Sequence, residues 1–311
     1  MGAEPPLRRV WRPPFALDVR GTLADLQHGW WDPCHRVDGA GTVWRTSLFP
    51  SGGVSYRLWQ AQGEVHADAW GPGAEELLAG LPGLLGEGDR PETFDPPEAV
   101  LAHAHRRLTG LRVPRTGRVL EALLPAIVEQ RVIQLDARAA WRRLVQRLGD
   151  PAPGPAPPGM RLPPSPQQWA SLPSWEWLRA GVDEQRMRAA MASIRLATSL
   201  ERAVAHAGAE ADPEGLYRRL RSIPGVGVWT AAQVGPRAAG DADALPLGDY
   251  HLADLAGYAF LGRSLAEEEV EPFFEHWRPH RFRVVRLLKL APFPRRPRFA
   301  QGRPLRRPVG G

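Results

Sequence analysis

The stretch Leu220–Ala232, LRSIPGVGVWTAA, constrains the fold more than any other part of the chain. One helical pattern, EGLYRRLRS, runs into it, and a second, VWTAAQV, runs out of it. Between them stand Pro224, Gly225, Val226 and Gly227. Glycine removes side-chain bulk and opens backbone conformations closed to other residues, so IPGVG predicts a tight turn between two helices. The first amides of the following helix have no acceptor within it and carry the positive end of its dipole. With no side chains over them, these amides form a site for a phosphate. Thr230, in the first turn, adds a hydroxyl. A glycine turn that packs two helices and touches nothing is the alternative, and a bare GxG does not separate the two.

A second feature sharpens the first. Asp249, in ALPLGDYHLADL, lies 24 residues after Gly225, with room for a helix and a loop between them. It precedes a helix expected to begin near Tyr250, a position where a carboxylate is stabilised. Helix capping alone would also account for it.

A chain of 311 residues has room for two or three domains. No apolar run approaches the ~20 residues of a membrane span, and the opening MGAEPPLRRVWRPP lacks the apolar core of a signal peptide. A soluble, cytoplasmic protein without a membrane partner is expected. The single cysteine, Cys34, excludes an intrachain disulfide and a cysteine-held iron–sulfur cluster. Cys34 beside His35 makes a poor metal site without further ligands, and reads as a loop cysteine.

The net charge of +6 invites a nucleic-acid reading. Six arginines after Pro292 (Arg295, Arg296, Arg298, Arg303, Arg306 and Arg307), with no acid among them, account for all of that excess. This Pro/Gly/Arg tail, 291–311, reads as disordered. It suits either counterion release on a nucleic acid or a solvated end. The chain has one lysine, Lys289, so an amine nucleophile is Lys289 or the N-terminus.

The expected fold class is α+β, mostly α, in three segments. Residues 1–110 read as a β-rich domain: GTVWRTSLF and GVSYRLWQ are strand-like, Val65, Ala67 and Ala69 alternate, Gln62-Gly63 is a hairpin turn and AEELLAGLPGLL a helix. Residues 111–290 read as helical, in two lobes with a cleft between them. Within them RVLEALLPAIVEQ carries Pro125 as a potential kink, DPAPGPAPPGMRLPPSP is a connector that cannot be a helix, and DEQRMRAAMASIRLATSLERAVAHA is one long amphipathic helix.

The hairpin LRSIPGVGVWTA and the spaced LPLGDYHLADL, with GLRVP, LLPAIVEQRV and PSPQQWASL upstream, resemble the helix-hairpin-helix DNA glycosylases of base excision repair. Within them the chain resembles the DNA-3-methyladenine glycosylase II type. The match runs from about Leu111 to Leu290. The resemblance implies a bacterial, nucleoid-associated monomer that binds double-stranded DNA containing damaged bases. It implies that the turn Pro224–Gly227 with Thr230 grips phosphates while a nucleotide is flipped out. Asp249 would be the catalytic carboxylate, with no organic cofactor. The carbonyls of Arg221, Ile223 and Val226 would hold a monovalent cation, sodium or potassium.

The same alignment sets Gln130 and Arg131 at the turn that fills the gap left by the flipped base, where the type carries leucine. Arginine can stack there, or be a solvated helix end. It sets Trp229 where bifunctional members carry lysine, which implies a monofunctional enzyme. Trp229 is then either a pocket aromatic or a core tryptophan. Tyr250, Gln233 and Lys289 complete the base pocket, the last two in place of aromatics. A lysine there would repel a cationic alkylpurine. With a shift of one residue, Lys289 faces solvent and Leu288 or Leu290 faces in. The implied activity is hydrolysis of an N-glycosidic bond, on an alkylated purine. The alternatives are a damage-binding protein without turnover and a glycosylase for a bulky adduct.

Overall fold

A computed structural model describes residues 5–210, 213–249 and 251–295. Five strands form one antiparallel sheet: β1 (Leu7–Trp11), β2 (His35–Val37), β3 (Val43–Phe49), β4 (Gly52–Ala61) and β5 (Glu64–Trp70), in the order β1-β5-β4-β3-β2. The β4–β5 hairpin turns on Gln62 and Gly63, both with positive φ (52° and 78°). That backbone twist matches the flanking strands. Alternation sends Val54, Tyr56, Leu58, Val65, Ala67 and Ala69 to one face, against Leu23, Leu77, Leu81 and Leu85. The AEELLAGLPGLL segment supplies the last three as two short helices, Ala74–Ala79 and Leu81–Leu84, broken at Gly80.

The opposite face of the sheet is covered too. Trp44 and Trp70 stack at 5.7 Å and pack against Met160, Ala152 and Ala156 of the proline-rich connector. The connector is held by polar ties as well: Ser55 Oγ donates to the Pro153 carbonyl, and Thr46 Oγ donates to that of Arg161 at 2.6 Å. Proline supplies carbonyls but no amide, so a strand-facing hydroxyl is a natural partner for such a segment.

The helical part divides by its cores. One lobe packs the helices Val119–Val128, Gln134–Leu148, Glu184–Arg195 and Val228–Ala239 around Leu123, Ile127, Leu144 and Leu220. Trp141, Trp169 and Trp177 stack through it at 6.0 and 5.4 Å. The expected long helix from Asp183 is two, Glu184–Arg195 and Ala197–Glu210, because the first closes at Leu196. The second lobe combines Leu252–Phe260, Glu267–Phe274 and Arg281–Leu290 with an earlier helix, Ala99–Arg107. Phe94, Leu101 and Ala104 share a core with Phe274, Trp277 and Leu288. This lobe therefore reaches back across residue 110. Val113, Ala232, Ala244 and Phe282 join the two lobes at a small apolar seam.

Buried arginines clamp the last helix to the sheet domain. Arg286 donates to the carbonyls of Arg112 (2.7 Å) and Gly21 (2.8 Å), and Arg283 pairs with buried Asp89. A buried guanidinium persists only with such partners. No helix among the described residues is long and apolar enough to cross a membrane. The Arg-rich tail beyond residue 295 lies outside the described residues.

Candidate active site and nucleic-acid interface

The helix Pro213–Arg221 ends as Ser222, Ile223 and Val226 close the turn, their amides donating to Arg218, Leu220 and Ile223 at 3.0–3.1 Å. Gly225 has φ +86°, and a Cβ there would lie 2.7 Å from the Cβ of Ala189. Here glycine is required by conformation and by space together. Gly227 is different. It is the N-cap of the helix Val228–Ala239, with extended backbone (φ −93°, ψ −173°), no side chain capping it and open space where a Cβ would stand. Pro224, Gly225 and Gly227 are exposed, and Val226 is buried beneath them. The rim is thus bare backbone at a helix N-terminus, which suits an anion.

Two residues expected at this DNA face do other work. Thr230 is 2% exposed, and its hydroxyl accepts a hydrogen bond from Gln130 at 2.8 Å. The same Gln130 amide donates to the Gly225 carbonyl at 2.9 Å. Gln130 therefore ties the turn after Val119–Val128 to the hairpin, and Thr230 is not offered to a phosphate. Arg131, next in sequence, is exposed with φ +54°, a region that non-glycine residues seldom occupy. Arg131 is thus an exposed neighbour of the residue that ties this turn to the hairpin.

Asp249 faces the hairpin from the loop of the second lobe. Its Oδ1 accepts from the His251 amide at 2.9 Å, and its Oδ2 accepts from the indole Nε1 of Trp229 at 3.2 Å. The helix it precedes, Leu252–Phe260, is capped at His251. Asp249 and Trp229 are both half-buried. Sequence spacing thus brought the right pair of segments together, and the bond between these two side chains is what spacing could not show.

The remaining pocket expectations separate. Gln233, one turn beyond Trp229, is half-buried. Its amide oxygen and its carbonyl both accept from Arg237, at 2.9 and 2.6 Å, and Arg237 reaches the Asp25 carbonyl at 2.9 Å. The polar side chain is committed to the contact with the sheet domain. Lys289 is exposed at the end of the last helix while Leu288 is fully buried. The one-residue shift decides it. Tyr250 lies outside the described residues. Of the candidate cation donors, the Ile223 carbonyl already takes the Val226 amide. A second lone pair remains on it.

Cys34 is a buried loop cysteine, its thiol pushed well up by burial and by the charge of Asp32. His35 is buried with its Nδ1 3.1 Å from an Arg45 nitrogen, and burial and that charge hold it well below the ordinary imidazole value. No group of three or more metal-ligating side chains occurs among the described residues. A cleft of ≈ 350 Å³ lies on an adjoining face of the second hairpin helix, bounded by Tyr217, Arg221, Val228, Asp241 and Arg281. It does not include Trp229 or Asp249.

No family model and no curated protein matches the sequence. Solved structures do. A 3-methyladenine DNA glycosylase from Archaeoglobus fulgidus superposes with a TM-score of 0.72 at 17% identity, over 90% of this chain and 96% of that one. An 8-oxoguanine glycosylase/lyase from Clostridium acetobutylicum, solved with double-stranded DNA, gives 0.69 at 11% identity, over 93% and 97%. A 3-methyladenine DNA glycosylase from Schizosaccharomyces pombe, in complex with abasic DNA, gives 0.51 at 18%, over 64% and 94%. The chain therefore shares its fold with solved DNA glycosylases, over nine tenths of its length in the first two.

Proposed function

We propose that this chain is a monofunctional DNA glycosylase that flips an alkylated purine nucleotide out of duplex DNA and hydrolyses its N-glycosidic bond. The observation that carries the reading is the 3.2 Å bond between Trp229 and Asp249 beside the uncapped hairpin helix. The bare amides hold a phosphate of the damaged strand. Arg131 enters the gap left by the flipped base. The everted nucleoside then meets an aromatic ring and a carboxylate already fixed in position.

As the C1′–N bond breaks, its electron pair leaves with the base and positive charge grows on the sugar. The Asp249 carboxylate stabilises that charge without moving, since the His251 amide and the Trp229 indole orient it. Water adds to C1′, and its proton passes by way of the carboxylate to solvent. The Trp229 face suits a cationic base. With Lys289 turned to solvent, no like charge opposes such a base. The carbonyls of Arg221, Ile223 and Val226 are the donors for a monovalent cation, which would add positive charge beneath the gripped phosphate.

A second reading has its own observation. Both oxygens of Asp249 already accept protein hydrogen bonds, which favours a protein that binds damage without excising it. The test is Asp249→Asn on alkylated duplex DNA, with released bases quantified and binding measured on an abasic-site analogue. The enzyme reading expects release by the wild type and a fall of at least about 10²-fold in the variant, with affinity nearly unchanged. No release from any lesion by the wild type, with tight binding retained, selects the second reading.

A further inference from the structure

Trp30 and Trp31 are the most exposed pair of large apolar side chains in the sheet domain, at 82% and 60%. They do not hang on a loose loop. The buried Asp32 carboxylate accepts the His28 amide at 2.8 Å and the Cys34 amide at 3.0 Å, and the Asp32 amide donates back to the Gly29 carbonyl at 3.3 Å. The loop is closed on itself with two indoles outside. Single exposed apolar residues need no explanation, but an ordered pair of the largest ones does.

The loop leans on the turn that carries Arg131. His28 Nδ1 lies 4.0 Å from the carboxylate of Glu129, two residues before Arg131. Gly29 rests on the stem of Arg138, where an added Cβ would lie 2.7 Å from its Cδ. On that helix Leu135, 75% exposed, is three residues before Arg138 and shares its face. The turn at Glu129–Arg131 thus lies between the hairpin, which Gln130 touches, and the loop of the two tryptophans, whose His28 faces Glu129. Arg131 and Arg138 bring positive charge to it; exposed Asp136 lies beside Leu135 at the start of the helix, Asp32 is buried, and the partly exposed Glu129 faces His28.

We propose that Trp30 and Trp31 contact the strand opposite the damaged nucleotide, stacking on its bases at the edge of the groove that Arg131 enters. This rests on the glycosylase reading above. The hairpin holds the damaged strand, and the turn at Gln130–Arg131 touches the hairpin at one end and this loop at the other. The strand that the loop meets is then the complementary one. Stacking on indole tolerates any base, since every base has a π-face. It suits a contact that must work wherever damage occurs.

The test uses the full chain and two probes: a duplex with a central abasic-site analogue, and its lesion strand alone. The double substitution Trp30→Ser/Trp31→Ser is expected to weaken duplex binding by roughly 10- to 100-fold and to leave single-strand binding and the melting temperature unchanged. Trp30→Phe/Trp31→Phe, which keeps the π-faces, is expected to restore most of the duplex affinity. Equal duplex affinity of wild type and the serine variant overturns the proposal and leaves the patch to a protein partner. An equal loss on the single strand also overturns it, by placing the contact on the damaged strand. Absence of duplex binding by the wild type removes the glycosylase reading itself, and this inference with it.

Discussion

From Trp229 the indole nitrogen reaches Asp249 across the seam between the lobes. A lysine at that position would set an amine next to the same carboxylate. Trp229→Lys is therefore expected to form an imine with the sugar carbon, trapped by borohydride as a covalent protein–DNA complex. The wild type is expected to give none, because its one lysine is exposed on the last helix. A trapped complex with wild-type protein would contradict the monofunctional reading. The hairpin and Asp249 were readable in the sequence from the GxG and its spacing, but only Gly225 is demanded by its backbone; Gly227 is not. Gln130 was readable only as a neighbour of Arg131. Its partners, Gly225 and Thr230, are 95 and 100 residues away, and no local pattern announces them. The phase of Lys289 was open to one position in the sequence because the last helix buries arginines alongside leucines. Its apolar phase is blurred.

Among the elements, the hairpin separates two glycines that look alike in sequence. Gly225 cannot change without strain and a collision with Ala189. Gly227 has open space and an extended backbone that aspartate adopts readily as an N-cap. Gly227→Asp is expected to raise stability by at most a few tenths of a kcal/mol, read as an unchanged or slightly higher melting temperature. It is also expected to weaken duplex binding by about tenfold or more, because a carboxylate then occupies the phosphate position. Unchanged affinity would make the hairpin merely structural. The break at Leu196 escaped the periodicity, since the apolar stripe continues on both sides of it. The connector's lack of helix was plain from its prolines, but not the sheet face it covers. That face is built by Trp44 and Trp70, on strands far away in sequence.

At the level of the whole molecule, the second lobe draws on segments either side of the first. The sequence reading sets a boundary near residue 110, whereas the strands end at Trp70 and the helix Ala99–Arg107 shares the second lobe's core. Stability also has a pH signature at this scale. His35 is held neutral by burial and by Arg45, whereas in the unfolded chain an imidazole titrates at about 6.5. Above that value its contribution is intact. As pH falls below it, the unfolded state binds a proton that the folded state refuses, and stability is lost at up to about 1.4 kcal/mol per pH unit. Buried Glu121, its carboxyl pushed up mainly by burial, acts with the opposite sign. It is common to wild type and His35→Gln, so it cancels in their difference. Melting temperatures followed from neutral to mildly acidic pH are expected to fall more steeply for the wild type than for His35→Gln, and parallel curves would contradict this. The proline-rich connector leaves one helix of the first lobe at Leu148, is pinned to the sheet by Ser55 and Thr46, and re-enters that lobe at Pro166. The chain has in effect sewn its strands to its first helices with a running stitch. The helix bearing Trp229 and the loop bearing Asp249 lie outside that stitch, joined by the short stretch 240–248 and by the bond between the two side chains.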